Sequence, residues 1–183
     1  GGWNMALTEK RIRTISKYRG VIVNVRLDSA ELPDGSEALR EVVEHPGGVT
    51  VIPVEDDGTV WCVRQFRYPF AQELLEVPAG KLEHGEQPLS CAVRELSEET
   101  GLTADEMIYL GPHYSSPGYS HEVLHLYLAR GLHRGQAHLD PGEFLNVEQH
   151  PLDELVALAL AGKLPDGKTT LAVLKAKLLL ENG

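Results

Sequence analysis

Cysteine is nearly absent from this chain: the two residues, Cys62 and Cys91, follow no metal-binding or redox spacing. A disulfide scaffold needs more of them in a shorter chain, so two reduced, packed thiols in a cytoplasmic protein are the expectation. No apolar run approaches the roughly 18 residues needed to span a bilayer, which argues against a membrane protein. Basic residues are outnumbered, with Lys plus Arg at 17 against Asp plus Glu at 27 and a formal net charge of −10. That sign opposes any affinity built on neutralising many phosphates and excludes duplex nucleic acid as the expected partner. A small phosphate-bearing ligand stays open, because a bound divalent ion inverts the local charge. Internal repeats, low-complexity tracts and a Gly/Ser/Pro-rich linker are also lacking, no signal peptide is expected, and Gly1–Asn4 read as a tag remnant. With 183 residues, one buried core is expected, with room for a small extension.

The residues that are present fall into two periods. From Ile12 to Val54 the chain alternates and is rich in β-branched residues, as in VIVNVRL (21–27) and EVVEH (41–45), joined by the turn signal LPDGS. TVIPVEDDGTVWCVRQFR then places two strands around Asp57-Gly58, a strong hairpin signal. After Gly85 the spacing becomes helical: Leu89, Ala92, Val93 and Leu96 recur as a stripe, and Gly101 stands where the helix should end. MIYLGPHY, EVLHLYLAR and the weaker FLNVEQH read as further strands, and PLDELVALALAG and TTLAVLKAKLLLEN as two more helices. This order predicts an α+β fold, a mixed β-sheet with helices on its faces, preceded by an N-terminal antiparallel β extension over 1–46, with the main domain over 47–183.

On the central helix Glu95, Glu98 and Glu99 fall within one arc, since positions three and four apart are surface neighbours. The plain alternative is a solvated acidic face with Arg94 and Glu98 paired at i, i+4. Against it stands the cost of like charges four apart with few basic partners, a cost that a divalent cation removes. Hard oxygen donors suit magnesium or manganese, ions that commonly also bind substrate phosphates.

Gly80, five residues, Glu86, seven residues, Arg94-Glu95-Leu96, one residue, Glu98-Glu99, one residue, Gly101-Leu102 matches the fixed positions of the Nudix box. The chain thus resembles the Nudix hydrolases, which act on nucleoside diphosphates linked to another moiety. The resemblance implies a Nudix-type α/β/α sandwich holding two to three Mg2+ ions per site, with Mn2+ as a substitute. Glu95, Glu99 and the main-chain carbonyl of Ala79 are then metal ligands, with Glu98 a further ligand or catalytic helper. Glu86 assists, and Arg94 orients the glutamates. Ions so held would bridge the diphosphate and lower the pKa of the attacking water.

From about Tyr18 to the C-terminal helices the chain is similar to the ADP-ribose pyrophosphatase branch of the family. Arg67, in VRQFRYPFAQELLEVPAGKLE, resembles a substrate-phosphate contact, and its guanidinium fork suits diphosphate oxygens. Ser115-Ser116-Pro117-Gly118-Tyr119 resembles a loop shaping the backbone around the terminal ribose, and implies substrate contacts at Ser116, Gly118 and nearby Glu122. Glu83 and Ile22 join the substrate-binding set, with Tyr18 and Arg19 beside Ile22. HLDPGEFLNVEQH matches the mobile acidic loop, making Glu143 the candidate general base and Asp140 its understudy; Asn146 stands where the family often has a second acid. The N-terminal strands resemble those exchanged between subunits, which implies a homodimer. The expected reaction is hydrolysis of ADP-ribose to AMP and ribose 5-phosphate; GDP-mannose or another nucleoside-diphosphate sugar is the close alternative.

Two rivals remain from other classes. His121-Glu122-Val123-Leu124-His125 fits the zinc-protease pattern HExxH, which requires a helix for its imidazoles to converge. The segment alternates instead, and in a strand four residues span about 13 Å. The other is a Nudix domain that binds a nucleotide without cleaving it, since fold and motif do not guarantee chemistry.

Overall fold

The computed structural model describes residues 6–182, so the reading of Gly1–Asn4 as a tag remnant lies outside the described residues. The described part divides into two units. The first comprises the residues up to Pro46 together with Tyr114–Glu122, and its frame is the antiparallel meander β1 (Lys10–Arg19), β2 (Asn24–Glu31) and β3 (Glu37–Glu44). The LPDGS segment makes the β2–β3 turn as its composition predicts: Gly35 takes φ +84°, and Asp34 Oδ1 accepts the Ser36 N–H at 2.9 Å. The strand expected over 21–27 starts only at Asn24, because the Gly20 N–H donates to the Val23 carbonyl at 3.0 Å and closes the β1–β2 turn there. All ten residues of β1 are exposed, and its register slips between Arg11 and Arg13 and again between Ser16 and Tyr18.

The second unit spans Gly47–His113 and the described residues from Val123 onward. Its centre is β4 (Gly48–Pro53), buried throughout, parallel to β9 (Val123–Arg134) and antiparallel to β7 (Ala79–Lys81), with β8 (Leu102–Tyr114) beyond β9. Alternation along β4 splits the core in two. Val49 and Val51 pack with Cys91, Ala92 and Leu96 of α1 (Pro88–Thr100). Ile52 and Val54 pack with Leu155 of α2 (Leu152–Leu160) and with Ala172, Val173 and Ala176 of α3 (Gly167–Asn182). The mixed sheet therefore lies between helices, the α/β/α arrangement expected.

Two expectations need correction. Asp57-Gly58 does make a tight turn, with Gly58 at φ +85° and the Glu55 N–H donating to the Thr59 carbonyl at 2.8 Å, but the strands on either side part after one bridge, Val54 with Val60. β5 (Thr59–Arg67) joins a separate antiparallel sheet, between β10 (Leu145–Pro151) and β6 (Gln72–Glu76). β4 is buried on both faces and already has a neighbour on each edge, so β5 cannot occupy either.

The second correction is the phase of α1. Leu89 and Val93, assigned to the packed stripe, are 49% and 46% exposed, whereas Cys91, Ala92, Glu95, Leu96 and Glu99 are buried. Two of the carboxylates belong to the packed stripe and not to its edge. A hydrophobicity pattern ranks charged positions outward and rotates the helix accordingly.

Candidate active site

The turn from β7 into α1 builds the site. Gly85 takes φ +78° in the approach, Pro88 opens the helix, and Gly101 at φ +72° ends it, donating its N–H to the Ser97 carbonyl at 2.8 Å. Gly80 serves by its size: a Cβ there would sit inside the Glu95 carboxylate, which packs directly on the bare strand. One residue earlier, the Ala79 N–H donates to Glu99 Oε2 at 3.1 Å. The motif glycine thus admits Glu95 against β7 while the neighbouring amide orients Glu99.

Arg94 organises the rest. Its Nε and Nη2 donate to the two Glu86 oxygens at 3.0 and 2.9 Å, and its Nη1 donates to Glu95 at 2.7 Å and Glu98 at 2.9 Å. It holds the Glu86 carboxyl down at about 2, and these carboxylates raise the Arg94 pKa in return. Glu86 Oε2 also accepts the N–H of exposed Glu83 at 3.0 Å, closing the loop before the helix.

Glu99 has no such partner. It is 2% exposed, and burial pushes its carboxyl up to about 8, opposed by the Ala79 N–H and reinforced by the charges of Glu143 and Glu95. Burial likewise raises Glu95, against the pull of Arg94. Glu143 thereby acts on both buried glutamates. Its loop is tied to α1, the His138 N–H donating to the Glu98 carbonyl at 2.9 Å and the Gly135 N–H to the Gly101 carbonyl at 2.7 Å. Asp140 accepts the Glu143 N–H through its main-chain carbonyl at 3.0 Å, and Asn146 is an exposed residue of β10 paired with Arg64.

Beside these acids lies Arg67, which clasps Glu76 through Nε and Nη2, both at 2.6 Å. Glu76 is 1% exposed and also receives Lys168. Burial alone would raise its carboxyl, but the hydrogen bonds and charges of Arg67 and Lys168 hold it below the usual carboxylate range. Sequence reading passed over Glu76, Asp166, Lys168 and Thr169; the only signal was a charge, Glu76, inside the otherwise apolar LLEVP.

The first unit holds the remaining candidates. Glu122 accepts a hydrogen bond from Ser115 Oγ and lies 3.4 Å from His45 Nδ1. The Ser116 carbonyl accepts the N–H groups of Tyr119 at 3.2 Å and Ser120 at 2.9 Å. Gly118 is absent from the left-handed φ region, and a Cβ there would meet nothing, so the backbone freedom expected of it is not used. Ile22 is 52% exposed in the β1–β2 turn. His121 and Glu122 precede β9 and His125 lies within it, its Nδ1 2.9 Å from the Tyr109 hydroxyl, so the HExxH segment has no helix on which to form a zinc site. Cys62 and Cys91 are buried free thiols, each pushed up to about 12 first of all by burial.

The donors fit a hard divalent cation in their chemistry. Glu86, Glu95, Glu98, Glu99 and Glu143 are all carboxylates, the cation hydrogen-bonded among them in the described residues is Arg94, and two of the five are buried with raised pKa. Among the described residues, no group of three or more His, Cys, Asp or Glu side chains is already gathered as an ion cage.

A mixed sheet between helices, with glutamates of one helix seated against a glycine of the neighbouring strand and arginines beside them, has the chemistry to hold divalent ions against phosphate oxygens. The NUDIX domain profile matches residues 44–172, and the chain belongs to the Nudix hydrolase family. It is 40% identical over 167 residues to the methanol dehydrogenase activator of Bacillus methanolicus, covering 90% of each chain. It is 38% identical over 170 residues to the ADP-ribose pyrophosphatase of Bacillus subtilis (strain 168), covering 92% of each. The crystal structure of an ADP compounds hydrolase superposes with a TM-score of 0.84 over 97% of both chains at 20% identity, a likeness of fold.

Proposed function

We propose that this protein is a magnesium-dependent pyrophosphatase that hydrolyses ADP-ribose to AMP and ribose 5-phosphate. The observation that carries the reading is the pair Glu95 and Glu99, buried on the packed face of α1 against Ala79 and Gly80 with too little positive charge to balance them. The likeness to the Bacillus subtilis ADP-ribose pyrophosphatase over nearly the whole chain supports the substrate.

In this reading Glu95, Glu99 and the Ala79 carbonyl hold two to three Mg2+ ions, for which Mn2+ can substitute, and Glu98 adds a further oxygen. Bound magnesium supplies charge neutralisation of the diphosphate and acidifies the attacking water. Glu143 accepts the water proton, its position beside Glu95 and Glu99 favouring a base there. Arg94 keeps Glu86, Glu95 and Glu98 oriented. Arg67 grips the diphosphate, and Glu83, Ser116, Gly118, Glu122 and Ile22 are assigned to the rest of the substrate. The N-terminal β extension pairs two copies into a homodimer, a role supported by the exposure of every residue of β1, Ile12, Ile15 and Tyr18 included. Two reduced thiols fit a cytoplasmic protein.

The test is a panel of nucleoside-diphosphate sugars, GDP-mannose included, incubated with Mg2+ and read by product chromatography beside Glu99→Gln. AMP and ribose 5-phosphate from ADP-ribose, abolished in the variant, is the expected result. No AMP from ADP-ribose would remove the substrate assignment, and undiminished hydrolysis by the variant would remove the metal site.

A further inference from the structure

The Nε/Nη2 face of Arg67, the side of the guanidinium that forks onto a phosphate side-on, is already committed. Two of its N–H groups are spent on Glu76, whose side chain is 1% exposed. If Arg67 were the sole partner, turning it toward a ligand would strand a buried carboxylate, among the costlier events in a protein interior. Glu76, however, has a second cation. Lys168 Nζ donates to Glu76 Oε2 and also lies 2.9 Å from Asp166 Oδ1, with its side chain 13% exposed.

This second cation is itself fixed. Asp166 Oδ2 accepts the Thr169 N–H at 3.0 Å and the Thr169 hydroxyl at 2.5 Å, and Thr169 Oγ1 accepts the Val77 N–H at 3.1 Å. Lys168, Glu76, Val77, Thr169 and Asp166 therefore close a ring that joins the start of α3 to the end of β6 without using Arg67. Arg67 is the outermost member, its side chain 37% exposed, and its charge acts on Glu99. The four charged groups sum to zero with Arg67 in place. When Arg67 engages a diphosphate, Lys168 still leaves Glu76 paired.

We infer that Lys168, held by Asp166 and Glu76 at the head of the C-terminal helix, is a positioning residue that acts as reserve counterion and so lets Arg67 bind the substrate diphosphate. The inference rests on the proposed function, which places a diphosphate at Arg67, and assigns a task to residues outside the motif. Without Lys168, Glu76 competes with the phosphates for Arg67.

The test is the affinity for an ADP-ribose analogue with a methylene in place of the bridging oxygen, measured by calorimetry with Mg2+, so that no turnover is needed. Lys168→Met and Lys168→Gln should each weaken binding about tenfold, the scale of coupling between contacting charges, while Lys168→Arg stays within about twofold. With ADP-ribose the same loss should fall on KM and leave kcat within about threefold. In an Arg67→Ala background, Lys168→Met should add less than about twofold, because nothing remains to be released. A merely structural Lys168 would lower the melting temperature and carry its full loss into that background. Wild-type affinity in both neutral variants, or an undiminished loss without Arg67, overturns the inference alone. A wild-type protein that fails to bind the analogue overturns the proposed function and this inference with it.

Discussion

Replacing Glu99 by glutamine should stabilise the metal-free protein, and by an amount that grows with pH. Glu99 is 2% exposed and its carboxyl is pushed up to about 8 from an ordinary 4.5. The folded protein therefore holds a proton that the unfolded chain releases earlier. A carboxyl with a raised folded value leaves stability intact below the unfolded pKa and removes it as pH climbs through the window from 4.5 to about 8. At 1.36 kcal/mol per pH unit, the loss reaches about 3 kcal/mol by pH 7 and about 5 kcal/mol at its ceiling. Glutamine has nearly the same shape, keeps an oxygen for the Ala79 N–H and does not titrate. It also relieves the repulsion from Glu95 and Glu143. Denaturant unfolding in EDTA should show variant and wild type within about 1 kcal/mol at pH 5 and the variant ahead by about 4–5 kcal/mol at pH 8.5. Magnesium should narrow or reverse that gap, because only the wild type gains the full binding free energy. A variant whose advantage stays flat with pH, or that is the less stable protein at pH 8.5 in EDTA, would refute the reasoning.

Gly80→Ala should abolish hydrolysis while costing only about 1–3 kcal/mol of stability, since the new methyl must evict the Glu95 carboxylate and the surrounding strand can absorb little else. A variant with wild-type turnover would show that Glu95 does not need its seat on β7. Ile15→Glu combined with Tyr18→Glu, both exposed on β1, should convert the proposed dimer to a monomer, read by light scattering after gel filtration. A wild type that already elutes as a monomer would remove the dimer.

The segment that carries the candidate site is legible in the sequence. Gly80, Glu86, Arg94, Glu95, Glu98, Glu99 and Gly101 stand out by their resemblance to the Nudix box, and the structure places Gly80 on β7, Glu86 in the turn that follows and the rest on α1 or at its end. Local interactions govern such a stretch, so local order reveals it. The LPDGS turn was legible for the same reason: glycine and aspartate encode their own backbone geometry.

Other features depended on what each segment meets after the chain has collapsed. Nothing local in TVIPVEDDGTVWCV tells β5 that both edges of β4 are taken. The roll of α1 was misread because Glu95 and Glu99 are buried against a glycine strand, a placement that no hydrophobic count anticipates. Glu76 and Lys168 lie 92 positions apart in the chain, and their pairing depends on α3 docking its first turn at the end of β6. Spacing within one helix dictates which carboxylates can act together. Whether they are buried, unbalanced and within reach of an arginine depends on long-range packing, because burial and charge pairing belong to surfaces that exist only once distant segments are in contact.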